Sequence, residues 1–211
     1  MMNPYLTRSA AAVVALVAAF APAPSGAAER PGLDESRAFV EKLADDAVRT
    51  WAMHESDEAA RLEAMDALIR SAFDVDFITR AVLGRYWRDL DPEERSGFRK
   101  LFPEFVVHIY LPHIAKYSRD HLRVVGARPR GKRDVIVRSE LRTDTSEWVE
   151  ADWRLRSSPR GGIRIIDLTV AGVSLLLVQR QEFEAVIRRS GFNSLVEQLR
   201  ERTNAAGSAR G

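Results

Sequence analysis

The sequence predicts an α+β fold: an antiparallel curved sheet wrapped by helices around an apolar space. Three observations carry this prediction. Apolar residues recur at three- and four-residue steps through about residue 117, alternate every second residue from about 122 to 170, and return to helical spacing from about 174 to 202. Helices, an antiparallel meander and helices again make a single domain over residues 29–202, with one apolar sheet face that the helices must cover. A curved sheet covered in this way encloses the kind of space that takes a hydrophobic ligand.

The chain opens with what reads as a secretory signal peptide, residues 1–28. Arg8 supplies the basic region and Ala10 to Phe20 the apolar run, which Pro22, Pro24 and Ser25 break. Gly26 and Ala28 are the small residues before a cut at Glu29. The run is too short to span a bilayer. With no cysteine in the chain, neither a lipidated cysteine nor a disulfide is available. An exported protein of a Gram-negative cell, placed in the periplasm, is expected.

Asp34 is placed to cap a first helix carrying Phe39, Val40, Leu43, Ala47, Val48 and Trp51. Ser56 is placed to cap a second, with Leu62, Met65, Leu68 and Ile69 inward. Phe73, Phe77, Ile78, Val82 and Leu83 form a third, ended by Gly84. Asp91-Pro92-Glu93-Glu94 is a strong helix start: a capping acid, proline at the first helical position and two acids in the first turn. The helix it opens carries Phe98, Leu101, Phe102, Phe105, Val106, Ile109 and Tyr110 on one broad face, which must lie against a core or a greasy ligand. Pro103 should kink this helix, and Pro112 should end or kink it again.

Strands follow at Leu122–Ala127 and Asp134–Arg142. From Trp148 to Arg156 the alternation is clean, with Val149, Ala151, Trp153 and Leu155 on one side. The loop Ser157–Gly162 turns the chain into a strand from Ile163 to Val170. Gly172 releases it into a helix from about Ser174 to Arg189, stopped by Gly191. Asn193 opens a last helix with Leu195, Val196 and Leu199. Residues 203–211, small and polar, read as a frayed tail.

Composition narrows the function. Hydrophobic residues make up 45% and charged residues 29%, as in an ordinary folded domain. A formal charge of +2 gives no general drive toward nucleic acid. Only four of the 32 basic residues are lysine, and the abundant arginine suits bidentate phosphate contacts or reflects a GC-rich genome. The four histidines lack a metal-ligand spacing: His108 and His113 are five apart and do not share a helical face. No phosphate-binding glycine loop or nucleophile elbow is present, and no catalytic or metal-binding residue is expected. Asp167, inside the apolar strand IRIIDLTV, is either a general base with a raised pKa or a carboxylate bonded to backbone amides or an arginine. Tyr86 and Trp87 either stack on a ligand or pin the linker to the core. Val173, Leu175, Leu176, Leu177 and Val178 make the start of the penultimate helix apolar nearly all round.

Two blocks carry a family resemblance: VLGRYWRDLDPEERSGFRKLFPEFVVHIY at 82–110, and DWRLR at 152–156 with IIDLTVAGVSLLLVQRQEFEAVIRRSGFNSLVEQL at 165–199. Together they resemble the MlaC, or toluene-tolerance, family of periplasmic lipid-binding proteins, over roughly residues 35–200. The resemblance implies a nuclear-transport-factor-like cone with an apolar cavity, which holds phospholipid acyl chains and shuttles lipid between the outer and inner membranes. It implies as partners an inner-membrane ABC transporter with an MCE-domain ring and an outer-membrane lipoprotein complex, with lipid as cargo and no cofactor. GRYWR, DWRLR and VQRQEFEAVIRRSG resemble the branch of the family associated with hopanoid biosynthesis, which makes a hopanoid the alternative cargo. Pro103 and Pro112 depart from the commoner pattern.

A carrier needs an apolar wall and no chemistry. On this reading the wall is expected from Val82, Leu83, Phe105, Ile109, Val149, Trp153, Leu168, Val170, Val173, Leu176 and Leu177. Arg85, Arg88 and Arg154 are candidates to hold a phosphate at its mouth. Two competing readings are an isomerase-type enzyme of similar fold using Asp167 and Tyr110, and a non-transporting binding or scaffold protein of the envelope tied to hopanoid handling.

Overall fold

The computed structural model describes residues 29–54, 56–114, 122–142 and 147–208. The signal peptide expected at 1–28 lies outside them. Among the described residues the helices are α1 (Leu33–Met53), α2 (Glu58–Ala72), α3 (Val75–Leu83), α4 (Pro92–Ile114) and α5 (Leu175–Ser208), with a 3-10 turn at Gly84–Arg88. The strands β1 (Leu122–Arg130), β2 (Asp134–Arg142), β3 (Trp148–Ser157), β4 (Ile163–Val170) and β5 (Val173–Ser174) form one open antiparallel sheet in chain order. This is the expected α+β architecture.

The start of α4 follows its sequence signal atom by atom. Asp91 Oδ1 accepts from the backbone N–H groups of Glu93 and Glu94, both at 2.8 Å, and Glu94 Oε2 accepts from the Asp91 N–H at 2.9 Å. This reciprocal box satisfies three amide donors that a bare helix end leaves open. The helix continues through Pro103 and through Pro112, so Pro112 does not end it. A helix tolerates the lost amide bond when neighbouring packing is strong, and Pro103 is itself buried.

Several boundaries differ from expectation. Gly32, not Asp34, occupies the cap position of α1, and Asp34 sits in the first turn, where its charge suits the helix dipole. Asp57, not Ser56, caps α2, its carboxylate accepting from Ala60 N at 3.0 Å. Asp74 caps α3 the same way through Phe77 N. β1 runs on to Arg130, because Pro129 and Arg130 still pair with Val135 and Asp134. The chain from residue 203 is helix as far as Ser208 rather than a frayed tail. Ala205 and Ala206 favour helix, and the Thr203 hydroxyl donates back to the Leu199 carbonyl at 2.8 Å. The break expected at Gly191 is present, with φ 83° and ψ 170°.

β5 is two residues long, and the sequence pattern does not disclose it. It exists because Ala171 and Gly172 both adopt positive φ, 49° and 79°, which turns β4 tightly back on itself. The Ala171 N–H donates to the Glu150 carbonyl at 2.9 Å and ties the turn to β3.

The apolar interior has three parts. The helical core gathers Val82, Leu83, Phe98, Phe102, Phe105, Phe183, Leu195 and Leu199 from α3, α4 and α5. Phe98 stacks on Phe102 at 5.7 Å, and Phe183 meets both edge-on at about 6 Å. The sheet core gathers Val135, Val137, Leu155, Ile163 and Ile165 under Val40 of α1 and Ala72 of α2. A smaller cluster of Met65 and Val107 joins α2 to α4. Among the described residues β1 and β5 are the edge strands of the sheet, and β1 is the long one. A register shift between Val124 and Gly126 bends it, and Pro129 lies on it.

Candidate functional site

Register assigns every side chain of the sheet to one of two faces, since successive residues of a strand point to opposite sides. Val137 pairs with Trp153, and Trp153 with Leu168. Ser139 pairs with Ala151, and Ala151 with Val170. Leu141 pairs with Val149, and Val170 with Val173. Five of the predicted wall residues, Val149, Trp153, Leu168, Val170 and Val173, therefore share a single face. It is the face that carries Val135, Val137, Leu155 and Ile165 into the sheet core.

Burial along this inner face is graded. At the end covered by α1, Val135, Val137, Leu155 and Ile165 are fully buried. Toward the start of β3, Leu141, Val149, Leu168 and Val170 are only half-buried, and Val173 is 51% exposed. Leu177, in the first turn of α5, is 53% exposed. Five other predicted wall residues sit in or against the helical core. Val82, Leu83 and Phe105 are buried in the helical core, and Ile109 packs half-buried against it. Leu176 packs half-buried against the same core. The structure thus divides the eleven into a sheet-face group, a helical-core group and the exposed Leu177.

The outer face is a lattice of charge. Asp134, almost fully buried, accepts from Arg154 Nε at 2.7 Å and from Arg156 Nε at 2.7 Å. Burial works against its charge, but the two guanidiniums outweigh burial and hold the carboxyl below its usual range. Arg138 pairs with Asp152 at 2.9 Å and with Glu150 at 3.0 Å, and Arg123 pairs with Glu140. Arg123 and Arg142 lie 5.3 and 6.0 Å from the ring centroid of Trp148, which is 50% exposed.

The candidate phosphate-holding arginines are mostly engaged. Arg154 faces outward onto Asp134. Arg85 donates to Glu184 Oε1 at 2.7 Å and to the Tyr86 hydroxyl at 3.1 Å, tying the 3-10 turn to α5. Arg88 is exposed and lends its carbonyl to Arg95. Trp87 packs against the helical core beneath Arg95 and Arg99, so it pins the linker. A cradle that sequence reading did not anticipate lies beside it. Gly84, at φ 54°, carries the Arg180 guanidinium so closely that a Cβ would meet it at 2.7 Å.

Asp167 is held in structural bonds. Its Oδ2 accepts from the Ser174 hydroxyl at 2.8 Å, and its Oδ1 accepts from the Leu176 N–H at 3.3 Å. Ser174 Oγ in turn accepts from the Leu177 N–H at 3.2 Å. The pair caps α5, and the carboxylate takes the backbone-bonded reading. The side chain of Tyr110, the other enzyme candidate, lies outside the described residues, as do that of His113 and all of His121. His108 contacts the Glu104 carbonyl of its own helix at 2.9 Å. No group of three metal-ligating side chains occurs among the described residues, and no helix among them is long and apolar enough to cross a membrane. A groove of about 200 Å³ between α2 and α4 is lined by Leu62, Glu63, Asp66, Arg70, Glu104, Val107 and His108, and contains none of the predicted wall.

The sequence reading missed Ser139. It is fully buried on the inner face, where its hydroxyl accepts from the Trp153 indole N–H at 2.8 Å and donates to the Ala151 carbonyl at 3.2 Å. The available signal was its inward phase in VIVRSEL, a polar residue where alternation calls for an apolar one.

Residues 38–201 match the family model described as MlaC protein. A curated relative from Haemophilus influenzae, the intermembrane phospholipid transport system binding protein MlaC, is 20% identical over 134 residues, covering 60% of this chain and 61% of the relative. A solved phospholipid-binding protein from Ralstonia solanacearum, in complex with a phospholipid, superposes with a TM-score of 0.71 at 24% identity, over 81% of this chain and 98% of that one. The similarity to the solved protein is one of fold.

Proposed function

The chain belongs to the MlaC family, and from that premise we propose that it is a periplasmic lipid carrier that shuttles phospholipid between the outer and inner membranes. The observation that carries this reading is the graded inner face of the sheet, apolar but for the hydrogen-bonded Ser139, fully buried at the end under α1 and half-buried to exposed at the other. Acyl chains enter at the open end, against Val149, Trp153, Leu168, Val170 and Val173. Leu176 and Leu177 line the α5 side, and Val82, Leu83, Phe105 and Ile109 back them from the helical core. The headgroup stays in water. The names of the two relatives, a phospholipid transport binding protein and a phospholipid-binding protein, agree with this cargo.

The energetics require such a wall. A chain of about sixteen carbons exposes on the order of 12 kcal/mol of apolar surface to water, at about 0.8 kcal/mol per methylene. An apolar face offsets that without any reaction, so the protein is not an enzyme on this reading. The proposed partners are those of the family, an inner-membrane ABC transporter with an MCE-domain ring and an outer-membrane lipoprotein complex.

Mass spectrometry of the denatured, freshly purified protein tests the proposal. A stoichiometric phospholipid is expected, and a hopanoid in its place moves the cargo to the alternative branch. Protein that is reproducibly empty and takes no lipid from vesicles overturns the carrier reading.

A further inference from the structure

The inner face changes character at Trp153. Its register partner Val137 and, on one side, Val135, Leu155 and Ile165 are fully buried; on the other side the small residues Ser139 and Ala151 are buried and Leu141, Val149 and Val170 beyond them are half-buried. Trp153 itself is half-buried and packs on the sheet core. Its indole N–H reaches Ser139, which pairs in register not with Trp153 but with Ala151, one inward position further along. The ring therefore leans diagonally toward the open end, over the two small residues Ser139 and Ala151. That explains why both are fully buried although they are nearer the opening.

The bond fixes the ring. An indole N–H on an apolar face needs a partner, and Ser139 is the polar side chain that supplies one. The Ser139 hydroxyl is fixed in turn by its bond to the Ala151 carbonyl. A bulky, flat side chain is thus locked across the line along which an apolar chain entering from the start of β3 must run.

We propose that the Trp153 indole, positioned by Ser139, is the inner stop of the acyl site and sets the longest acyl chain the protein accommodates fully. This rests on the carrier reading above. Chains short of the stop gain affinity with each added methylene, about fourfold apiece. Chains that reach the indole gain nothing further from extra carbons.

Two measurements test it. In the first, Trp51, Trp87 and Trp148 are replaced by Phe so that Trp153 is the sole indole. The protein is then loaded with phosphatidylcholine carrying bromine near the carbonyl, at mid-chain or near the methyl end. Quenching is expected to be strongest for methyl-end bromine. Ser139→Ala should flatten this dependence, and Ser139→Thr should keep it. Quenching that is equal for all three lipids, or strongest near the carbonyl, overturns the proposal.

The second measurement avoids the triple variant. Retention of saturated lysophosphatidylcholines of increasing length is compared for the wild-type protein and Trp153→Ala. The wild-type protein should show a break in the fourfold-per-methylene rise, and Trp153→Ala should move that break to longer chains. An unchanged break point overturns the proposal while leaving the carrier reading intact. A protein that retains no lipid phosphorus through gel filtration overturns both.

Discussion

Around Phe105 the helices close on one another. Phe98, Phe102 and Phe183 surround it, and the Arg202 guanidinium sits 4.9 Å from its ring centroid. Around Val170 the inner face of the sheet runs out instead into half-buried Val149 and Leu168 and exposed Val173. Both regions are apolar, and Phe105 and Val170 both come from the blocks that carry the family resemblance. The difference is completeness. Phe105 has spent its apolar surface on other side chains, whereas Val170 still has surface to offer. Apolarity alone does not tell a packed core from a face with surface to spare; completeness of packing does.

The strongest way to break this contrast is to truncate both regions. Phe105→Ala should cost about 3–5 kcal/mol, because it empties a fully packed site. Urea unfolding monitored by circular dichroism measures it. A cost below about 1 kcal/mol would mean that the helical core is looser than its burial implies.

The charged outer face should contribute next. Asp134→Asn removes the shared partner of Arg154 and Arg156 and should cost about 2 kcal/mol at neutral pH. The pH dependence follows from the direction of the shift. The folded-state pKa is depressed, so the stabilisation is complete above the unfolded-chain value of about 3.9. It is lost as pH falls through the lower folded-state value. Acid titration of unfolding should therefore show a component below about pH 4 in the wild-type protein that Asp134→Asn lacks.

Val170→Trp sharpens the contrast from the other side. The half-buried site should admit the ring for about 1 kcal/mol or less in stability, while bound lipid falls roughly tenfold, about 1.4 kcal/mol. Lipid phosphorus per protein after gel filtration reads it. If Val170→Trp unfolds the protein and retained lipid is unchanged in whatever folds, the sheet face is core and not wall. The smallest effect is expected at the β4–β5 turn. Ala171→Gly should stabilise by about 1 kcal/mol, since Ala171 holds a φ of 49° that glycine adopts freely.

The fold was legible where the local chemistry was unambiguous. Asp91-Pro92-Glu93-Glu94 has one sensible geometry, and the alternation from Trp148 to Arg156 places each β3 residue on a face without further information. Caps were harder: Ser56 and Asp57 are adjacent and both competent, and only the chain's path chooses Asp57. β5 was hidden because a non-glycine residue supplies half of its turn. For the site, the pattern identified apolar positions but not which of them a helix would cover. Phe105 and Val170 look alike in sequence because coverage is a property of α5 and α1, far away in the chain. Ser139 escaped because its role depends on a cross-strand neighbour.

The bend in the long edge strand β1 bears on how the protein behaves in company. An unpaired strand offers a row of amides and carbonyls to any passing chain, and copies with open apolar faces would be poorly served by such an invitation. In β1 the shift at Val124 and Gly126 throws the row out of line, and Pro129 has no amide hydrogen to offer. The edge that would let one copy zip onto the next is blunted, so crowding should raise encounters without building fibrils.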